Sequence, residues 1–201
     1  MLRRSELAGF CLRVSAAVAL LLFASGATVT NAALTPLSPQ PSAAAVQPGV
    51  SVVYHYGLFN EVSEVDALAG HGGEVGKPIP KLDMQTAGNV FDSGVRERVG
   101  LLIDGMLRFP AAGAWKMSVL SNDGVRVTLA DKVVLEDPDV HADRVAGPVN
   151  LTVPSPGWYK LAITYFQKKH TSALRLMWEP PGSGAMVVVP AEAYGHLNPS
   201  K

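Results

Sequence analysis

Residues 155–166 read SPGWYKLAITYF, and the alternation inside them decides the fold. Pro156-Gly157 opens a strand in which Trp158, Lys160, Ala162, Thr164 and Phe166 face one way and Tyr159, Leu161, Ile163 and Tyr165 the other. Apolar groups occur on both faces, so the segment fits a central strand of a packed sheet better than an exposed edge. Upstream, GVRVTLADKVVLE (124–136) sets Val125, Val127 and Leu129 against Arg126 and Thr128. Ala130-Asp131-Lys132 then turns the chain back as a hairpin.

Working outward, short runs of β-branched and aromatic residues recur about every ten residues, separated by Gly, Pro, Asn and Asp. They predict strands near 50–56, 96–109, 114–121, 124–130, 132–136, 147–153, 157–167, 172–179 and 185–190. No twelve-residue stretch keeps a helical stripe, so helices reduce to single turns, for example near 191–194. Residues 57–95, with GHGGEVGKPIPK at 70–81, read as a long loop over one end of the molecule. The expected fold is all-β: an antiparallel sandwich or barrel of about eight to ten strands, with loops gathered at one end.

Arg3, Arg4 and Arg13 precede a short apolar run, VSAAVALLLFASGA (14–27), in the pattern of a signal peptide spanning 1–32 and cleaved after Ala32. The alternative is an uncleaved anchor, against which stands the lack of a charged stop after the run. Cys11 is the one cysteine and precedes the run, so the processed chain carries no thiol and must rely on a hydrophobic core. Residues 33–49, ALTPLSPQPSAAAVQPG, read as a solvated tether, leaving one domain over 50–198. Processing leaves 14 basic and 16 acidic residues, a net charge of −2. A near-neutral chain without a Lys/Arg stripe excludes nucleic acid as a partner.

The ordered signals from Val99 to His196 resemble the domain first named for the protective antigen of anthrax toxin, found also in yeast flocculins and some bacterial glycosidases. GLLIDGMLRFPAAGAWKMSVLSNDGVRVTLADKVVLE (100–136) matches its strand, Pro/Gly turn, strand, Ser-Asx-Asp-Gly turn and hairpin. PSPGWYKLAITYFQKKHTSALRLMWEPPGSG (154–184) matches its Gly-Tyr and Leu-Arg-Leu-x-Trp strands, and VVVPAEAYGHL (187–197) its closing segment. VSVVYHYGLF (50–59) looks like the opening aromatic strand.

The resemblance implies a sugar-binding site in which two consecutive aspartates, joined by a cis peptide, hold calcium with help from an Asn and carbonyls of a later loop. The matching positions are Asn122-Asp123 and Gln167 to Thr171. They give a ligand-binding set of Asn122, Asp123, Gln167, Lys168, His170 and Thr171, and a metal set of Asn122, Asp123 and Gln167. The pattern departs from the family where Asn122 replaces the first aspartate, which removes a formal charge from a site whose affinity rises with its carboxylates. Lys168, Lys169 and His170 follow Gln167, and the two ammonium groups are unfavourable near a cation unless they point away. A calcium site and a plain Asx-Gly turn, with Gly124 at positive φ, both stand as readings.

Other candidates have blander explanations. Asp137, Asp139, His141 and Asp143 alternate in a way that can aim oxygens at one cation, but the spacing is not that of an EF-hand and suits a solvated acidic loop. Trp115, Trp158 and Trp178 lie in strands and read as core. Tyr165, Phe166 and His170, at a strand end and its loop, are better placed to stack on a sugar. The five histidines lack zinc spacing. No nucleophile elbow, phosphate loop or metalloprotease helix occurs, so the chain reads as a non-enzyme. The expected function is an exported, periplasmic or secreted, carbohydrate-binding module, calcium-assisted, with a glycan or cell-envelope polysaccharide as partner. The alternative is a structural domain docking on an envelope protein or secretion assembly.

Overall fold

The computed structural model describes residues 31–198; the predicted signal peptide lies outside them apart from Asn31 and Ala32. In chain order the elements are β1 (Asn31–Ala33), β2 (Val46–Pro48), β3 (Ser51–Tyr56), α1 (Val62–Asp66), β4 (Glu74–Val75), β5 (Asp83–Thr86), β6 (Val99–Phe109) and β7 (Gly113–Asn122). There follow β8 (Val125–Leu129), β9 (Lys132–Asp137), β10 (Arg144–Val153), β11 (Gly157–Gln167), β12 (Ser172–Glu179) and β13 (Val187–Val188). A 3-10 turn (Ala191–Ala193) and β14 (Tyr194–Leu197) close the chain.

Two sheets face each other. One has six strands, ordered β1-β10-β7-β12-β13 with β5 also on β12; the other has eight, ordered β2-β14-β6-β11-β8-β9 with β3 joining β6 and β4. The arrangement is a sandwich and not a closed barrel. All pairings described are antiparallel except β1 with β10. As the alternation demands, β11 is central, between β6 and β8. Tyr159, Leu161, Ile163 and Tyr165 enter the core. The β8–β9 hairpin turns at Ala130 and Asp131, both at positive φ (51° and 59°), the backbone a two-residue type I′ turn requires.

All nine predicted strands occur. Of the other five, β2, β4 and β5 lie in the segments read as irregular, β1 begins within the predicted signal peptide, and β14 follows the turn expected near 191–194. Residues 33–49 are not a solvated tether, because β1 and β2 add to the edges of the two sheets and Leu34 is buried. Between them Gln40 receives the Trp158 N–H and donates to the carbonyls of Trp158 and Leu37. Strand pairing through backbone groups needs no apolar periodicity, so a Pro/Ala/Ser composition hid it.

Residues 57–95 are likewise more than a loop. Ile79, Leu82, Met84 and Val90 join the main core, and β5 pairs with β12. Helix α1 sets Val62 and Val65 with Phe59 over Phe166, making a second apolar cluster. Its Asp66 accepts from Thr164 and pairs with Arg126. The outer face of β11 is thus covered at its C-terminal end.

The two ends of the sandwich differ. At one, Phe109 packs edge-on against Trp115 and Tyr159, and Trp115 against Trp178, with ring centroids 4.8–5.3 Å apart. Trp115 and Trp178 are core residues as expected, whereas Trp158 is only half-buried. The other end gathers the loops 123–124, 138–143 and 168–171.

Candidate functional site

Strands β7 and β11 end side by side, and their last residues build the floor of this loop end. The peptide between Asn122 and Asp123 is cis, the junction that the sequence resemblance implies. Asp123 is 3% exposed. One carboxylate oxygen accepts the His141 N–H at 3.2 Å and the other the Lys168 N–H at 2.8 Å. A single side chain therefore ties the 138–143 loop to the 168–171 loop.

Burial pushes the Asp123 carboxyl up from its ordinary value of 3.8, against the two N–H groups, which pull it down. Protonation then favours the native state: this contribution is fully present below 3.8 and lost as pH rises through the raised value. Carboxyl NMR should give Asp123 a midpoint above 3.8, and a midpoint at or below it would contradict the burial argument.

Asn122 turns its amide nitrogen to Asp143 Oδ1 at 2.8 Å and Thr171 Oγ1 at 3.3 Å, while its carbonyl accepts the Tyr165 hydroxyl at 2.5 Å. Gln85 on β5 holds the second Asp143 oxygen at 2.6 Å. Gln167 is fully buried beneath the last loop, where its amide nitrogen donates to the Lys169 and Thr171 carbonyls, both at 2.9 Å. Lys168 sends its ammonium out to Asn60, beside α1. Val62 N–H donates to the Pro138 carbonyl, so the segment around α1 braces both rim loops.

Above this floor lies an open hollow of about 260 Å³ lined by Asn122, Asp123, His141, Lys169, His170 and Thr171 among others. Four of the six predicted ligand residues thus surround one hollow. Gln167 and the Lys168 side chain do not, since the first works from underneath and the second points away. Tyr165 and Phe166 are also no stacking platform: both are fully buried, one in the main core and one under α1. His170 remains exposed, at positive φ (71°). His141 and Lys169 are additions to the ligand set; His141 lies in the alternating loop read as solvated, and Lys169 in the matched stretch 167–171 but outside the set.

A cation is a poor fit to these groups as they stand. The carbonyls of Lys169 and Thr171 converge on the Gln167 amide nitrogen, and two carbonyl oxygens at 2.9 Å select a donor there, not an oxygen ligand. Asn122 likewise offers N–H to the rim oxygens. Among the described residues no three His, Cys, Asp or Glu side chains cluster as a metal site. Asp137 is engaged by Arg144 and His141, and Asp143 by Asn122 and Gln85, so the alternating acidic loop is divided into separate pairs.

Gly124 follows the cis junction. It does not need positive φ, contrary to the turn reading; its need is space, since a Cβ there would lie 2.4 Å from the Phe166 ring and 2.5 Å from the Pro138 carbonyl oxygen. Gly124→Ala should cost about 2–3 kcal/mol, as overpacking does, measurable by urea unfolding; an unchanged midpoint would contradict this packing.

No family model and no curated protein matches the chain in sequence. Solved structures match its fold. The PA14 domain of the MpAFP antifreeze protein aligns with a TM-score of 0.63 at 14% identity, over 78% of this chain and 93% of that one. The PA14 sugar-binding domain of an RTX adhesin aligns at 0.59 and 16%, over 74% and 98%. The epithelial adhesin 9 A domain of Candida glabrata, solved with Galβ1-3GlcNAc, aligns at 0.60 and 10%, over 82% and 96%.

Proposed function

From the PA14 fold as premise, we propose that this chain is an exported carbohydrate-binding module whose glycan site is the hollow above Asn122 and Asp123. The observation that carries the reading is the convergence of Asn122, Asp123, His141, Lys169, His170 and Thr171 on one open concavity. These side chains supply donors and acceptors around a floor fixed by the shared Asp123 carboxylate. The structural neighbours add support, one being a sugar-binding domain and another an adhesin domain solved with a galactoside. No helix among the described residues is long and apolar enough to cross a membrane, and the amino-terminal pattern is that of a signal peptide. Recognition is the whole activity in this reading, and no catalytic step is assigned.

The loops close without calcium in this proposal, because the amide nitrogens of Gln167 and Asn122 stand where a cation would draw the same oxygens together. Affinity for a single sugar unit should lie between about 1 mM and 1 µM, the range for a shallow polar site that trades water for hydroxyls.

A panel of immobilised glycans tests the reading. Wild-type protein should bind at least one member, and His170→Gly, which suits the positive φ, should weaken that binding about tenfold with an unchanged melting temperature. Equal binding by the variant would remove His170 from the site. Absence of binding to the entire panel would favour the alternative, a domain docking on an envelope assembly.

A further inference from the structure

A second concavity lies at the far end of β11. Trp158, at the start of that strand, pairs with Arg108 of β6, and its ring rests on the backbone of β14: a Cβ added to Gly195 would come within 2.9 Å of it. Beside the ring is a groove of about 460 Å³ whose lining includes Gln40, Arg108, Trp158 and Glu192. A neighbouring hollow of about 250 Å³ shares Arg108 and Glu192 and reaches Trp178. The combined volume is that of a small-molecule site.

The polar groups here are uncommitted. Among the described residues the Arg108 guanidinium, the Glu192 carboxylate and the Trp158 indole N–H have no hydrogen-bond or ion-pair partner, and both charged residues are exposed. Gln40, in contrast, is fully engaged in holding the backbone of Trp158. The groove thus sets an anchored aromatic ring beside one free cation and one free anion.

Charge narrows what fits. An anionic ligand meets Glu192, a cationic one meets Arg108, and a purely apolar one leaves both charges desolvated. A neutral polyhydroxyl ring satisfies all three: its C–H face lies on the indole and its hydroxyls donate to the carboxylate and accept from the guanidinium. We infer that the Trp158–Arg108–Glu192 groove is a second, independent binding site for a neutral pyranose. Nine strand steps separate Trp158 from Gln167, about 30 Å at ~3.3 Å per residue. Two sugar units of one short oligosaccharide cannot span that distance, so the sites would engage separate chains or distant parts of one polymer.

The test is a heteronuclear NMR titration of the whole processed chain with methyl glucoside, methyl galactoside and lactose, following the three indole N–H signals and the amides of His141 and Thr171. The inference predicts a saturable shift of the Trp158 indole with at least one neutral sugar, while the buried Trp115 indole, which lines neither hollow, stays put. Arg108→Ala and Glu192→Gln, both at exposed positions, should each weaken that response about tenfold or more, as loss of a hydrogen bond to a charged group does. A Trp158 signal unmoved by every sugar overturns the inference, as does one that moves equally in both variants. The His141 and Thr171 amides report the rim pocket in the same spectra, so failure of either site is read separately.

Discussion

Asp123→Ala should abolish glycan binding at the rim and lower stability by about 2–4 kcal/mol. The carboxylate is buried and serves two backbone N–H groups on different loops. Its removal strands both donors, and an unsatisfied buried donor costs about 1–3 kcal/mol. The charged form is itself held at some expense, since burial raises the carboxyl above 3.8, and this keeps the loss below the sum of two full penalties. Asp123→Asn retains one acceptor and should lose roughly half as much. Urea unfolding reads the stability and sugar titration the binding. A variant that binds as the wild type does would remove Asp123 from the site, and unchanged stability would contradict the loop-tying role.

The second large effect concerns the amide beneath the rim. Gln167→Glu places a carboxylate against the carbonyls of Lys169 and Thr171, 2.9 Å from the present nitrogen. Three oxygens then face one another without a proton between them, and the protein should lose about 2–4 kcal/mol, as when a buried polar contact is broken. The same change recreates the oxygen-rich setting a divalent cation seeks. Calcium should therefore restore much of the loss, adding about 2.7 kcal/mol at 100 times its dissociation constant, and the wild type should be indifferent to calcium. Melting scans with calcium and with chelator decide it. A wild-type midpoint that rises with calcium would sink the amide-closure account.

How much was legible in the sequence differs by element. The alternation around Tyr159 to Tyr165 fixed strand, face and central position, since a period of two is a direct imprint of burial. Ala130-Asp131 announced a tight turn through its place between two matched runs, even without the usual glycine. The segments 33–49 and 57–95 concealed their strands because short edge strands gain their place through backbone pairing and a few buried groups such as Leu34, Leu82 and Met84.

At the site, the Asn122-Asp123 corner and the 167–171 loop could be located from the ordered motifs, but not the direction of each side chain. Gln167 was read as an oxygen ligand and is a buried donor; Lys168 was read as a ligand and reaches Asn60. Tyr165 and Phe166 looked like stacking residues from their position at a strand end. The cover contributed by α1, which hides Phe166, comes from a segment with no visible helical stripe. Gly124 was assigned a backbone role and has a packing one. Each of these turns on a contact between distant segments, information a local pattern does not hold.

Titrating a galactoside into the protein in the presence of chelator, with the Asn122 side-chain amide and the His141 and Thr171 backbone amides followed by NMR, bears most directly on the rim pocket. Saturable movement of these signals, with the same dissociation constant after calcium is added, is the predicted result. Signals that stay fixed at saturating sugar, or that move only once calcium is supplied, would contradict a glycan pocket closed by its own amides.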